Sequence, residues 1–211
     1  MAGKKGDETK ERILEESLKL FQRKGMGGTS LSDILAATGL KKGALYFHFT
    51  SKEEIALLAL ERARSELLGF LDSSLTGQTP AARLDNHFSA LLEMHRKLCF
   101  AGGCIFGNVA LEMADSNDRI ASIVCGVFDE WTERIRGTVE AGVSEGVFRS
   151  DLSAADMALH VVAATEGAIM LARLQKSDAP LTVCFSALRL LLAPPVDDGV
   201  FQPAPDFGEA P

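Results

Sequence analysis

Very little in this sequence points toward export or a membrane. The first ten residues carry Lys4, Lys5, Asp7, Glu8 and Lys10, and no apolar stretch of a leader peptide follows them. No uninterrupted apolar run is long enough to span a bilayer. Residues 157–172 come nearest and are broken by His160 and Glu166. Only four cysteines are present, and without an export signal they are expected as reduced thiols of a cytoplasmic protein. Histidine is equally scarce. His87 and His95 stand eight apart, about two helical turns, and cannot chelate a metal between themselves. No other spacing demands a metal, so neither metal nor cofactor is expected. Tyrosine and tryptophan occur once each beside 12 phenylalanines. Proline is almost absent before residue 193: Pro80 and Pro180 stand alone, and the other five of the seven fall in 193–211.

Basic charge is also in deficit, but unevenly. The 211 residues carry a net −7, yet residues 1–52 hold 10 Lys/Arg against 6 Asp/Glu, +4, and residues 53–211 hold 12 against 23, −11. A basic N-terminal module on an acidic body confines attraction for phosphate to one end. The sequence reads as all-α, with about nine helices: 8–24, 31–38, 42–47, 52–75, 80–98, 104–114, one from the cap cluster at 115–118 to 145, 153–175 and 180–192. It divides into an N-terminal three-helix unit (1–52), a helical body (53–192) and a Pro-rich tail (193–211) expected to be disordered.

Residues 29–54 carry the densest set of local signals. Ser30 can N-cap a helix, with Asp33 in its first turn. Leu31, Ile34 and Leu35 form one apolar face, and Gly39 falls where a helix needs a left-handed C′ residue. Leu40 and Leu45 pack the next short helix onto this one. Lys41, Lys42, Gly43, Ala44 and Tyr46 are left for its outer face. Small residues let such a helix sink into a major groove, while lysines and a phenol reach phosphates and base edges. Ser51 with Glu54 opens a further helix as a capping box. Lys52 lies in its first turn, where free N–H groups favour phosphate. This is the layout of a helix-turn-helix DNA reader.

Over residues 8–60 the run Gly25, Thr29-Ser30-Leu31-Ser32-Asp33-Ile34, Thr38-Gly39-Leu40 and Lys42-Gly43-Ala44-Leu45-Tyr46-Phe47-His48-Phe49, closed by Ser51 to Glu54, resembles the DNA-binding domain of the TetR family of transcriptional repressors. The resemblance implies phosphate contacts at Thr29, Tyr46, His48 and Lys52. It implies groove-facing positions at Ser30, Lys41, Lys42, Gly43 and Ala44. Two positions depart from the family pattern: Lys41 replaces the usual Ser or Thr cap, and Leu35 replaces a small Ala between the two helices.

In the body, the helix at 153–175 is apolar nearly all round, as expected of burial on two sides. With the last helix it is expected to form a homodimer interface, a four-helix bundle by resemblance; a fully internal helix is the alternative. Two copies would set recognition helices about 34–36 Å apart on palindromic double-stranded DNA. The segment 102–114 aligns Cys104, Asn108 and Glu112 on one stripe. It resembles a subset of the same family in which this helix couples a ligand pocket to the DNA module; plain bracing of neighbouring backbone is the other reading. Phe88, Leu91, His95, Cys99, Phe106, Asn108, Glu112, Phe128, Trp131 and Met170 are the candidate lining for a small hydrophobic effector. Cys99 and Cys104 are candidate redox sensors, since a thiol at a helix N-terminus favours its thiolate. His160 reads as a core or pocket residue. Cys104 paired with a His is the one enzyme-like combination, but nothing orders a base or oxyanion hole around it, so no enzyme activity is expected.

Overall fold

The computed structural model describes residues 2–195, with side chains from Gly6 onward; the expected tail lies outside this range from residue 196 on. Among the described residues there are nine helices and no strands: α1 (Ala2–Lys24), α2 (Leu31–Thr38), α3 (Lys42–His48), α4 (Lys52–Ser74), α5 (Pro80–Lys97), α6 (Ile105–Met113), α7 (Asp118–Ser144), α8 (Ala154–Gln175) and α9 (Ala179–Leu192). The capping chemistry explains the boundaries. Side chains of Ser30, Ser51, Thr79, Asn117 and Ser153 each accept a backbone N–H three residues on. Gly39 closes α2 at φ 66°. The box at Ser51 is only half made, because the Glu54 carboxylate accepts from the N–H and hydroxyl of Thr50 instead.

Two apolar cores follow. One gathers Ile13, Leu14 and Phe21 of α1, Ile34 of α2, Leu45 of α3 and Ile55 to Ala63 of α4, together with Ile105, Phe106 and Val109 of α6 and Ile120 to Val127 of α7. The other gathers Leu71 at the far end of α4, Leu84 to Leu91 of α5, Trp131 to Val139 of α7, and the inner faces of α8 and α9. The expected division after residue 52 therefore does not follow the packing. Helices α4 and α7 run through both cores, and α6 belongs to the first one. Arg134 Nε to Asp72 at 2.8 Å and an Arg64–Glu130 pair tie α4 to α7 along their length.

Helix α8 is the one described helix long and apolar enough to cross a bilayer. Its inner stripe (Met157, Val161, Thr165, Ala168, Ala172) is buried in this chain. Its outer stripe is not: Leu159, Met170, Leu171 and Leu174 are exposed, the last at 77%, and Val183 and Leu190 (78%) of α9 extend the same kind of surface. His160 is exposed as well, not in a core or pocket of this chain as the sequence suggested. The reason is helical phase: it stands one residue before the buried Val161.

Candidate functional site

Helix α3 is anchored by Leu45 and by Phe49 just beyond it, both buried at 1% exposure. The remaining positions turn outward. Lys41, Lys42, Gly43, Ala44 and Tyr46 are all exposed, and the Lys42 ammonium sits 5.8 Å from the centre of the Tyr46 ring. Lys41 makes no side-chain cap, as a lysine there requires, so α3 begins with free N–H groups. Phe47 is 83% exposed, with His48 edge-on at 5.1 Å. Sequence reasoning passed over Phe47; its signal was an apolar residue two places from the buried Leu45, off the helix's packed side.

Three of the expected DNA contacts are engaged with the protein instead. Thr29 is buried, and its hydroxyl donates to the Gly25 carbonyl at 2.7 Å, so its side chain does not face outward. Ser30 remains exposed, but its hydroxyl is held in the α2 cap with Asp33. Lys24 at 2.6 Å helps hold the Asp33 carboxyl far below the usual carboxylate range. The Lys52 ammonium donates to the carbonyls of Met26 and Thr29 at 2.9 and 3.0 Å. It works as a clip on the α1–α2 turn.

The body grips the same turn from the other side. The Glu112 carboxylate at the end of α6 accepts the backbone N–H of Met26 at 2.8 Å and of Gly27 at 2.5 Å. The glycines make that approach possible. A Cβ on Gly25 or Gly27 would stand 2.8 or 2.9 Å from the carboxylate, and Gly25 also has φ 78°. Asn108, one turn back on α6, donates to the Gly102 carbonyl and accepts from Arg173 of α8, both at 2.8 Å. Both readings of the 102–114 motif thus meet: Asn108 and Glu112 brace backbone, and the backbone that Glu112 braces is the entry to α2 and α3. The α5–α6 link that precedes this helix has left-handed φ at Cys99, Phe100, Gly102 and Gly103. Only glycine adopts that conformation without cost.

A cavity of about 250 Å³ lies between α1, α4, α5, α6, α7 and α8. Of the residues expected to hold a ligand, Leu91, His95, Phe106 and Trp131 line it. Asn108, Phe128 and Met170 line a neighbouring cleft of about 290 Å³. Phe88 does neither: it is buried and stacked on Phe185 at 4.5 Å. Cys99 is exposed and lines neither space, and Glu112 serves the turn. Both cavities share Glu166, which the sequence showed only as a break in an apolar helix. Burial pushes its carboxyl up to about 6. The same desolvation lowers His95 from the ordinary histidine value and keeps it neutral.

The redox reading of Cys104 does not survive this setting. Cys104 does sit at the N-cap of α6, but burial, reinforced by the neighbouring Glu166 carboxylate, raises its thiol well above the ordinary value. A protonated thiol is a poor nucleophile. It is the Glu166 carboxylate, not a cation or a histidine, that stands beside it. No group of three metal-binding side chains comes together among the described residues.

Comparison with known proteins agrees with this architecture at both ends. Residues 13–59 match the family described as bacterial regulatory proteins, tetR family, and residues 80–188 match the tetracyclin repressor-like C-terminal domain. The HTH-type transcriptional repressor DhaR of Mycobacterium sp. (strain GP1) is 29% identical over 185 residues, covering 85% of this chain and 91% of that protein. The solved structure of a TetR transcriptional regulator from Chloroflexus aurantiacus J-10-FL is 37% identical, covers 89% of this chain and 95% of its own, and superposes with a TM-score of 0.77. A regulatory protein from Rhodobacter sphaeroides, 23% identical over 87% of this chain and 98% of its own, shares the fold with a TM-score of 0.82.

Proposed function

Because this chain belongs to the TetR family of transcriptional regulators, we propose that it is a homodimeric repressor released from a palindromic operator by a small, largely apolar effector. The observation that carries the DNA reading is α3: a helix held by Leu45 and Phe49 whose Lys41, Lys42, Gly43, Ala44 and Tyr46 all face solvent on the basic end of the chain. The apolar outer surface of α8 and α9 supports a two-fold partner, which would bring a second α3 to the next major groove.

Release follows from the connections of α6. Its first residues wall the cavity, and its last carboxylate holds the α1–α2 turn. A ligand that fits the cavity better in one placement of α6 favours the matching angle of the DNA-facing helices. Cysteine-based sensing, the other candidate, has no support at Cys104.

Binding to the DNA upstream of the protein's own gene, measured by fluorescence anisotropy at several salt concentrations, tests the proposal. A specific complex whose affinity falls steeply with salt is expected. Lys42→Ala with Tyr46→Ala should weaken it by at least about tenfold and flatten the salt slope. A salt-insensitive complex, or one unchanged by the double substitution, would remove α3 from the interface. An effector should lower operator affinity; one that raised it would make the protein a co-repressor.

A further inference from the structure

Five buried side-chain polar atoms among the described residues have no hydrogen-bond partner in the protein, and three of them belong to residues lining one cavity: Trp131 Nε1, His95 Nε2 and Glu166 Oε1. Buried polar atoms are rarely left unanswered, and three on residues that line one apolar space point to a ligand that answers them. The three differ in what they ask for. The Trp131 indole can only donate, so it requires an acceptor. Glu166 Oε1 requires a donor when the carboxylate is ionised, and Glu166 takes part in no ion pair among the described residues. Neutral His95 accepts or donates according to its tautomer. The rest of the wall is apolar and partly aromatic, with Phe70, Leu91 and Phe106. At about 250 Å³ the space falls just under the usual span of sites for drug-sized ligands, about 300–1,000 Å³.

Resting on the reading of the body as an effector-binding unit, we propose that this cavity takes a neutral single-ring compound bearing one hydroxyl, a phenol or aryl alcohol, with the hydroxyl set between Trp131 and Glu166. A hydroxyl accepts from the indole N–H and donates to the carboxylate at once, as a single water would; the apolar, aromatic wall favours one carried on a ring. An ammonium supplies only donors and leaves Trp131 unanswered. A carboxylate supplies only acceptors and meets the charge of Glu166. The raised carboxyl of Glu166 agrees with a site that holds no counter-cation of its own. Phe70, Phe106 and the Trp131 ring supply the faces against which an aromatic ring packs.

Trp131 is the only tryptophan in the chain, so its emission reports the cavity directly and without DNA. The full-length protein would be titrated with 4-ethylphenol, ethylbenzene, 4-ethylbenzylamine and 4-ethylbenzoate. The phenol is expected to change the emission saturably and to bind at least about tenfold more tightly than ethylbenzene, with the amine and the carboxylate weaker than the phenol. Glu166→Met should erase the phenol's advantage and leave ethylbenzene binding in place. Should that variant not fold, the ranking of the four probes on the wild-type protein decides. Equal binding of ethylbenzene and the phenol, preference for the amine, an advantage that persists in Glu166→Met, or no binding by any probe would overturn the assignment. A phenol that binds as expected but leaves operator affinity unchanged would uphold the cavity chemistry and refute effector release.

Discussion

Met26 is held at both ends of its own residue by opposite charges. Its N–H is taken by the Glu112 carboxylate and its carbonyl by the Lys52 ammonium. Lys52 reaches it from the start of α4, Glu112 from the body 86 residues further along the chain. The sequence displayed both charged residues but not this pairing, because the contact depends on α6 folding back against α1. Gly25 and Gly27 carried the remaining information, since each reserves room for a carboxylate that is not its sequence neighbour. Amide hydrogen exchange gives a direct check. The Met26 and Gly27 amides should exchange faster in Glu112→Ala, while amides in the middle of α4 keep their protection. Gly27→Ala should have the same effect, because its Cβ would crowd the carboxylate at 2.9 Å. Unchanged exchange at both amides would show that the Glu112 contact does not restrain the turn.

At the level of elements, the sequence was read most easily where the signals are local. Gly39, Ser51, Thr79–Pro80, Asn117 and Ser153 mark helix ends through chemistry confined to one turn, and each expected boundary from α2 onward falls within about three residues of the structure. Helix α1 extends to Ala2, six residues before its expected start, because a charged N-terminal segment can stay helical with little apolar periodicity to announce it. The all-round apolarity of α8 was equally visible, and the fold divides it into a stripe facing this chain and a stripe facing out. A prediction follows for that outer stripe. Leu174→Glu combined with Leu190→Glu should leave helix content unaltered by circular dichroism and shift the protein to monomer in sedimentation at micromolar concentration. Operator binding should fall with it, since one α3 reads only half a palindrome. A double variant that sediments as the wild type does would place the partner contact elsewhere.

For the whole molecule, a buried histidine and a half-buried carboxylate set opposing responses to acid. His87, buried and hydrogen-bonded to Ser74 through Nδ1 at 2.8 Å, is lowered by desolvation to about 4. Only the unfolded chain takes up its proton between pH 6.5 and 4, so stability falls as pH drops through that window, by at most about 3 kcal/mol. Glu166 works the other way. Its carboxyl is raised to about 6, so the folded state binds the proton first and stability falls as pH rises from 4.5 to 6, by about 2 kcal/mol. The two offset each other between pH 4.5 and 6. Urea midpoints measured from pH 4 to 7 should therefore decline less toward acid in His87→Leu and more steeply in Glu166→Gln. Parallel curves for all three proteins would refute the balance. None of this was legible in the sequence, where His87 is one histidine among four and its burial depends on how α4 packs on α5.

The sharing of α4 between the two cores has a mechanical consequence. At 23 residues it is a rod about 35 Å long, rooted among Leu71 and α7 at one end and under α1 to α3 at the other. Pivoted at its body end, a tilt of about 5° sweeps the opposite end through about 3 Å. In the proposed two-fold dimer the arcs of two such rods would add, so the distance between paired α3 helices would change by about 6 Å against a groove repeat of about 34 Å. In that dimer such leverage would turn an adjustment too small to disturb either core into a mismatch too large for DNA to absorb cheaply.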